Sequence, residues 1–559
     1  MGKVNRRNFF KKSSLYAGGL MTYTDMFKLI NMIVLSTIEK AHAQVSGSIP
    51  KNYLSIHLGG GPSRFLFDQF LTPNLTDPVL SLSDPTYWND GVTTAFNNNV
   101  LEHRLMTYNG VRVPHHYQYP VITSKGSVLP TQLLNHMGVI RGYSSGTDGH
   151  EVNNPIQAYP DPAAPSLHAV TADYRKDLIS AVDYNGRMPF ASSAGKVASI
   201  ITNHNGVGGS IGGLINVFKK YVPQSSLINN IDQLSGARNY FKDVLKATLQ
   251  NYDKTTANAI KDHMASGETL IQFAAEDLNT IWNTLYLKYK DSIDKSSQIV
   301  DGPNGPIPFL TDNPVKLLMT EPNITDDFSI DRNFDLREAF KTSSGAFVET
   351  GFARILALYE YCLTRGITGV LGGEVGTTVA NIKLIESGGT TLVNKSIGND
   401  QHNTPPRLNV LGSAMMYRGM MGGLLELVDF LKTKQFNGQD LFSQTVIHIT
   451  GDFSRSPRTD KIGYDHGWDA QVTSVISGAI INGPIVVGNI KRSGRSGYNG
   501  TWGIGEKVDF NGSKEVLSVR HVAAAVANLL NAPNPWIFTH KVWELQNNVL
   551  VPKITPNII

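Results

Sequence analysis

The hydrophobic positions of the chain alternate between short continuous apolar runs and longer stretches with helical spacing. Short apolar runs predict strands at residues 52–58, 137–143, 445–450, 478–481 and 485–487. Apolar residues spaced three and four apart predict helices at residues 352–363, 408–436 and 519–530. Strands that alternate with helices favour an α/β fold. Strands that are apolar throughout indicate a mostly parallel sheet covered by helices on both faces.

The middle of the chain has a different pattern. Long helical patterns dominate residues 212–294, and residues 295–333 are rich in Pro, Asn and Asp, which is typical of loops. We therefore predict a helical insertion over residues 210–345, within an α/β domain that spans residues 44–559.

The charge of the chain is mildly basic but unevenly distributed. The 559 residues include 50 Lys and Arg against 46 Asp and Glu, a net charge of +4. Residues 1–43 alone have a net charge of +5, so residues 44–559 have a net charge of −1. A nearly neutral body has no extended basic field for nucleic acid, and no nucleic-acid partner is predicted. The single cysteine, Cys362, excludes an intrachain disulfide and a cysteine-rich zinc site.

The basic N-terminus has the pattern of an export leader. Arg6 and Arg7 are followed by NFFK and a weakly apolar stretch, and Ala41-His42-Ala43 fits the small-x-small rule for cleavage. We therefore predict a twin-arginine signal over residues 1–43 and a location in the periplasm or at the cell surface. Charged residues interrupt the apolar stretch, and no later segment has 18 uninterrupted apolar residues, so no transmembrane span is predicted in the mature chain.

Residues able to carry chemistry follow the first two predicted strands. This is where open parallel sheets bind their ligands. Gly59-Gly60-Gly61-Pro62-Ser63 follows the first strand, and its glycines let the backbone approach a ligand closely. The polar loop after the second strand contains Thr147 and His150. Ser63, Thr147 and His150 are therefore candidate catalytic residues, with ordinary turn and loop roles as the alternative.

Two further segments combine carboxylates with imidazoles. Asp400 and His402 lie two residues apart, so in an extended chain they point to the same side and suit one cation. Asp452 ends the third strand, and Asp465 and His466 follow it 13 and 14 residues later. Such ligands suit zinc, manganese or calcium.

Two arginines and one histidine complete the candidates. Arg455 and Arg458 lie between Asp452 and Asp465, and their planar guanidinium groups suit an oxyanion. His521 lies at the start of the last predicted helix, where it is either a ligand or an ordinary helix N-terminal residue.

Taken in order, these motifs resemble those of a known family. The segments are SIHLGGGPS, VIRGYSSGTDGHE, NDQH, GDFSRSPR, DHGW and RHVAAAVANLLNA. They are similar to the motifs GGPS, VIRS…H, WDTH, GEFGRTP…DH and a final histidine-containing helix of the exported "domain of unknown function 1501" family. The resemblance covers residues 50–537 and includes the leader. It implies an alkaline-phosphatase-like α/β fold, shared with sulfatases and phosphoglycerate mutases.

The resemblance also implies roles for individual residues. Enzymes of that fold use one or two metal ions and a Ser, Thr or formylglycine nucleophile. The implied metal ligands here are Asp400, His402, Asp452, Asp465, His466 and His521. His150 and Arg455 match the family's histidine and arginine, and Arg455 would hold the anionic group of a substrate. Phe453 stands where phosphatases have a second histidine ligand, so one divalent ion is expected rather than two. The nucleophile stays open between Ser63, Ser145 and Thr147.

Three functions remain open from the sequence. The first is a metal-dependent hydrolase of a small phosphate or sulfate ester. The second is a catalytically silent exported protein that binds a partner or a polysaccharide. The third is a serine esterase, because residues 142–146 match G-x-S-x-G around Ser144, with Asp452 or Asp465 and then His521 in triad order.

Overall fold

The computed structural model describes most of the body of the chain. The described residues are 30–31, 33–35, 37–41, 49–70, 105–201, 231–273, 278–297, 316–319, 332–335, 344–345, 351–385, 391–402, 406–436, 439–457, 464–492, 503–536, 539–547 and 549–554. Arg6, Arg7, the predicted cleavage site after Ala43 and Arg458 lie outside these ranges.

A nine-stranded sheet lies at the centre of the described structure. Its strands are β1 (Asn52–Leu58), β2 (Met137–Ser144), β3 (Ala181–Tyr184), β4 (Ala198–Ile201), β5 (Val370–Val375), β6 (Thr445–Gly451), β7 (Gln471–Ile476), β8 (Ile485–Val487) and β9 (Leu517–Ser518). Their order is β8-β2-β7-β6-β1-β5-β3-β4, with β9 paired to β2. Only β7 runs antiparallel to its neighbours, β6 and β2. The predicted mostly parallel α/β sheet is therefore confirmed.

Helices cover both faces of this sheet. They are α1 (Thr131–Leu134), α2 (His150–Ala158), α3 (Leu167–Asp173), α4 (Ile231–Leu249), α5 (Lys254–Phe273), α6 (Leu278–Ser297), α7 (Phe352–Thr364), α8 (Pro406–Thr433) and α9 (Val519–Leu530). Leu54 and Ile56 of β1 pack in an apolar cluster with α7 and α8. Tyr53, on the opposite side of the same strand, packs in a second cluster with α3 and α9. Because successive strand residues face opposite sides, an apolar strand such as β1 fills both clusters.

Where the structure describes it, the predicted insertion is helical in its first part, over residues 231–297. Helices α4 to α6 account for most of residues 231–297, and the hydroxyls of Ser292 and Ser296 in α6 donate to Ile122 O. Further along, Lys316–Met319 pairs with Arg332–Asp335 instead. Ser344–Gly345 pairs with Thr378–Ile385, which lies outside the predicted insertion. This long-range strand pairing leaves no periodic signal in the local sequence.

Most of the other predicted elements are confirmed, and one is wrong. The strands predicted at residues 52–58 and 485–487 and the helix predicted at 519–530 have the predicted bounds. Helix α8 ends at Thr433, three residues before the predicted end. Residues 478–481 do not form a strand, because Gly478 and Ala479 lie in a turn in which Ile480 N donates to Ser477 O at 3.0 Å.

Short antiparallel strand pairs form separate small sheets outside the central sheet. They are Leu105–Tyr108 with Val111–Pro114, Val121–Thr123 with Gly126–Val128, Thr378–Ile385 with Thr391–Gly398, Gln435–Phe436 with Gln439–Asp440, Ser454–Pro457 with Tyr464–Gly467, Ile490–Arg492 with Gly503–Gly505, Val508–Phe510 with Ser513–Glu515, and Trp543–Gln546 with Val549–Pro552. A 3₁₀ turn spans His115–Gln118.

Residues 30–41, inside the predicted leader, are helical where they are described. Their buried side chains, Ile30, Ile33, Val34, Ile38 and Ala41, belong to the cluster that contains α7 and α8. Within the described ranges, no helix is long and apolar enough to cross a membrane. The twin-arginine signal and the exported location stay predictions.

Candidate metal centre

The candidate centre lies where three parallel strands end. Strand β1 leads into Gly59, β6 leads into Asp452, and β2 leads into the loop before His150, the first residue of α2. The carboxyl ends of parallel strands meet at one edge of a sheet, which explains why motifs hundreds of residues apart converge here. Asp400 and His402 follow the strand Thr391–Gly398 and complete the group.

Four side chains form a compact set of possible metal ligands. One ligand atom from each of His150, Asp400, His402 and His466 lies within 4.8 Å of the others. Asp400 Oδ1 is 3.8 Å from His150 Nε2 and 3.5 Å from His402 Nε2. The Nε2 atoms of His402 and His466 are 2.8 Å apart. A tetrahedron with bonds of about 2.1 Å has edges of about 3.4 Å, so these separations suit one small ion.

Two of the three histidines are hydrogen-bonded to a carboxylate at their Nδ1 atoms. His150 Nδ1 is 2.7 Å from Asp452 Oδ2, and His466 Nδ1 is 2.5 Å from Asp148 Oδ1. A carboxylate at Nδ1 fixes the ring and leaves the Nε2 lone pair for a metal ion, as in many histidine metal sites. His402 differs, because its Nδ1 lies 3.7 Å from Asp465 Oδ1, beyond hydrogen-bond distance, and its Nε2 accepts from Arg455 Nη1 at 3.3 Å. Asp452 and Asp465, predicted as ligands, therefore lie behind the ligand histidines instead.

His150 gives the clearest structural indication that the four side chains could bind an ion. Its Nε2 atom is buried and has no hydrogen-bond partner among the described residues. Asp400 Oδ1, at 3.8 Å, is too far away to accept a hydrogen bond. A buried nitrogen without a partner costs free energy that a bound ion would offset.

Arg455 has a different position from the one predicted. Its guanidinium donates to Gly60 O, Gly61 O and Asp400 Oδ1, each at 2.7 Å. Its side chain has 0% exposure, so it cannot meet an anion from solvent. Arg455 instead fixes the glycine turn after β1 and orients the ligand Asp400.

Phe453 packs against two of the candidate ligand histidines. Its ring centroid is 3.9 Å from that of His466 and 4.6 Å from that of His150. A Cβ atom at Gly61, where φ is +59°, would lie 2.7 Å from the Phe453 ring, so only glycine fits against the ring at this position.

The candidate hydroxyl nucleophiles lie apart from the ligand set. Ser63 is fully buried, and its Oγ donates to Gln401 Oε1 at 2.8 Å. Thr147 is half-buried, and its Oγ1 donates to Asp148 O at 3.4 Å. The Oγ of Ser145 donates to Thr147 O at 3.1 Å. None of these three hydroxyls contacts a ligand histidine in the described part of the chain.

The structure does not assemble the predicted serine triad. Ser144 Oγ donates to Asp469 Oδ1 at 2.7 Å rather than to a histidine. His521 lies in a separate group with Glu515 and His540. Its Nδ1 accepts from Ser518 N at 3.1 Å, which leaves the proton of the neutral ring on Nε2. That tautomer has no lone pair on Nε2 to offer a metal ion, so His521 caps α9 and does not join the ligand set.

Neighbouring carboxylates and burial shift the pKa values of the three histidines in different directions. The pKa of His150 is raised to about 9, because the carboxylates of Asp400 and Asp452 face its ring. Burial and the neighbouring Arg455 lower the pKa of His402 to about 4. Burial also lowers the pKa of His466. At pH 7, His402 and His466 are therefore neutral and ready to bind, whereas His150 must first lose a proton.

We expect metal affinity to rise with pH because of His150. A raised pKa means that the ring holds a proton below pH 9 in the ion-free chain, and binding must release that proton. Loss of one proton gives about a tenfold change per pH unit, so zinc should bind about 100-fold more tightly at pH 8 than at pH 6. Competition with a chromophoric chelator, corrected for its own protonation, measures this. A flat profile would show that His150 is not a ligand.

The donor set favours zinc among the predicted ions. Three imidazoles and one carboxylate match a zinc site, whereas calcium takes six to eight oxygen ligands. With neutral histidines, the carboxylates of Asp148, Asp400, Asp452 and Asp465 and the single guanidinium of Arg455 sum to −3. A divalent ion would reduce this local charge to −1.

Asp148 and His57 are the functional residues that sequence reasoning missed in this role. Asp148 lies 318 positions from His466, and His57 lies 395 positions from Asp452, to which its Nε2 donates at 2.6 Å. Their only sequence signal is that both stand at or beyond a strand end.

No protein-family model matches the chain, and comparison with curated proteins and with solved structures gave no match either.

Proposed function

We propose that the chain is a hydrolase of phosphate or sulfate esters that depends on one divalent metal ion. One observation carries the proposal. One ligand atom from each of His150, Asp400, His402 and His466 lies within 4.8 Å of the others, and His150 and His466 each have a carboxylate hydrogen-bonded at Nδ1. The best-fitting ion is zinc, with manganese next.

Neighbouring residues hold the candidate ligands in place. Asp148 and Asp452 accept hydrogen bonds from His466 and His150 and fix their rings. Arg455 donates to Asp400 and orients it. Because three histidines and one carboxylate already make four protein ligands, an ester oxygen or a water would bind as an additional ligand at the open side, where Asp400 has a side-chain exposure of 53%. A bound ion would polarise the ester oxygen and acidify water, which supplies a nucleophile without a serine or threonine.

Attack by water on the ester, rather than by a side chain, fits the lack of a well-placed hydroxyl nucleophile among the described residues. Ser63 and Thr147 do not contact the ligands, so a direct attack by water is favoured over a covalent enzyme intermediate. The choice of phosphate or sulfate esters follows the resemblance to the alkaline-phosphatase-like fold. A small anionic ester would meet a local charge of about −1 once the ion is bound, so binding must rely on the ion itself.

The test is a metal analysis joined to an ester assay on the full chain. We expect about one equivalent of zinc or manganese in the purified folded protein, and hydrolysis of 4-nitrophenyl phosphate or 4-nitrophenyl sulfate. A chelator should abolish this hydrolysis, and added zinc or manganese should restore it. Activity that resists complete metal removal would overturn the proposal.

A second candidate is a catalytically silent protein that binds a partner or a polysaccharide. Full burial of both Ser63 and the Arg455 side chain favours it, because neither is available to a substrate. Less than about half an equivalent of bound metal, together with no hydrolysis of either ester class, would support this candidate over the hydrolase.

A further inference from the structure

A buried chain of polar side chains lies behind the loop that leads into α2. Tyr143 of β2 and Gln471 of β7 are paired neighbours in the central sheet, and Asn153 and Gln157 lie one turn apart on α2. None of these four residues is more than 1% exposed. Polar groups buried this deeply need hydrogen-bond partners, so their contacts decide how this part of the fold is held.

The hydrogen bonds of this chain all run in one direction. Burial raises the pKa of Tyr143, so its hydroxyl keeps its proton and donates to Gln157 Oε1 at 2.9 Å. Gln157 Nε2 donates to Gln471 Oε1 at 2.7 Å, and Gln471 Nε2 donates to Asn153 Oδ1 at 3.1 Å. Each amide oxygen therefore accepts one hydrogen bond, and each amide orientation is fixed by its neighbours.

The chain ends on the backbone of the loop before α2. Asn153 Nδ2 donates both of its hydrogens, one to Thr147 O at 2.9 Å and one to Gly149 O at 3.0 Å. These two carbonyls belong to the residues on either side of Asp148, and Gly149 directly precedes His150. Gly149 is the N-cap residue of α2, with φ +111°, and has no side chain that could hold the loop. Asn153 therefore holds the loop from the start of the helix.

The loop held by Asn153 carries two residues of the candidate metal centre. Asp148 Oδ1 accepts from His466 Nδ1 at 2.5 Å, and His150 Nδ1 donates to Asp452 Oδ2 at 2.7 Å. A metal site keeps its geometry only when the groups around the ligands are fixed in turn. The carbonyl contacts of Asn153 supply that second level of support.

We propose that Asn153 is a positioning residue of the metal centre, which sets Asp148 and His150 through the backbone carbonyls beside them. This inference rests on the proposed metal-dependent hydrolase, because it assigns Asn153 a role at that site. Asn153 does not contact the ion and acts by ordering the loop before the ion binds. Without its two hydrogen bonds, binding would have to order the loop, and the lost conformational entropy would weaken the affinity.

The test is Asn153→Asp in the full chain, with Asn154→Asp as the matched control. Aspartate at position 153 would place a carboxylate oxygen against Thr147 O and Gly149 O, which both need a donor. Direct partners of metal ligands change metal affinity by about 10- to 100-fold, and Asn153 lies one contact further out, so zinc affinity should fall by about tenfold. Asn154 instead donates to Glu374 Oε2 at 2.7 Å. Its variant adds the same charge to the same turn of α2 and should not weaken zinc binding.

The visible spectrum of bound Co²⁺ separates positioning from a general loss of stability. This spectrum depends on the geometry of the ligands around the ion in the folded protein, so Asn153→Asp should change it and Asn154→Asp should not. Asn153→Ala removes both N–H donors without adding a charge. It should lower zinc affinity by about the same factor and change the Co²⁺ spectrum in the same way.

Two results would overturn this inference alone. The first is wild-type zinc affinity and a wild-type Co²⁺ spectrum in folded Asn153→Ala, which would show that the loop is ordered without the amide. The second is unfolding of both Asn153 variants where the wild type is folded, which would make Asn153 a residue of the fold as a whole. A wild-type chain that binds no zinc would overturn the proposed hydrolase as well.

Discussion

The double variant His402→Ala, His466→Ala should bind zinc more than about 100-fold more weakly than the wild type and should lose ester hydrolysis. Residues that only support a ligand already change metal affinity by about 10- to 100-fold, and this variant removes two ligands themselves. The ligand atoms removed are the two Nε2 atoms that lie 2.8 Å apart. Isothermal titration with zinc and an assay with added metal measure the two effects.

His540→Ala is the matched control for this variant. His540 belongs to the other group of possible ligands, with Glu515 and His521. It should leave metal content and hydrolysis unchanged, because His521 offers no lone pair to that group. If zinc instead survives the double variant and disappears in His540→Ala, the metal site has been assigned to the wrong end of the molecule.

Asp148→Asn should reduce zinc affinity by less than the double variant does. An amide can still meet His466 Nδ1 but carries no negative charge, so zinc affinity should fall by about 10- to 100-fold. A loss as complete as that of the double variant would make Asp148 a ligand rather than a support for His466.

The sequence predicted the ligands better than their supports. Asp400 and His402 were predicted as ligands because residues two apart in an extended chain point to the same side, and His466 because it follows Asp452 together with Asp465. His150 was predicted as a catalytic residue, and its place in the ligand group was not predicted. The roles of Asp452 and Asp465 behind the ligands were not predictable, since a carboxylate beside a metal ligand and a carboxylate on the metal have the same sequence pattern. The pairing of Asp148 with His466 depends on how two loops meet across 318 residues.

Burial accounts for the remaining differences. Arg455 was predicted to hold an anion because its guanidinium suits one, but the glycine carbonyls after β1 enclose it. His521 was predicted as a ligand, but a backbone N–H at the start of α9 fixes its tautomer. In both cases the residue type was informative about possible chemistry, whereas the partner chosen by the fold decided what that residue does.

The second prediction with a large expected effect concerns residues 30–41, which are helical where they are described. A chain that begins at Gln44 lacks four buried apolar side chains, Ile30, Ile33, Val34 and Ile38, each at most 6% exposed. Full burial of such a side chain contributes about 1.5–3 kcal/mol, so their loss should lower the free energy of unfolding by about 6–12 kcal/mol. Native domains have only about 5–15 kcal/mol in total, so the shortened chain should be largely unfolded. Urea denaturation of both chains measures this.

A point variant separates this packing from any effect of the export leader. Val34→Asp places a charge at a position with 0% exposure, whereas Glu39→Gln changes an exposed residue of the same helix. The first should destabilise the full chain by several kcal/mol, and the second by less than about 0.5 kcal/mol. Lys40 of the same helix adds a polar contact, since its amine donates to Gly366 O at 3.1 Å.

If the chain from Gln44 is as stable as the full chain, the helix contributes nothing to stability, and removal of residues 1–43 does not destabilise the protein. If it unfolds as expected, cleavage after Ala43 would remove part of the core, and residues 30–41 belong to the folded domain rather than to a removed leader.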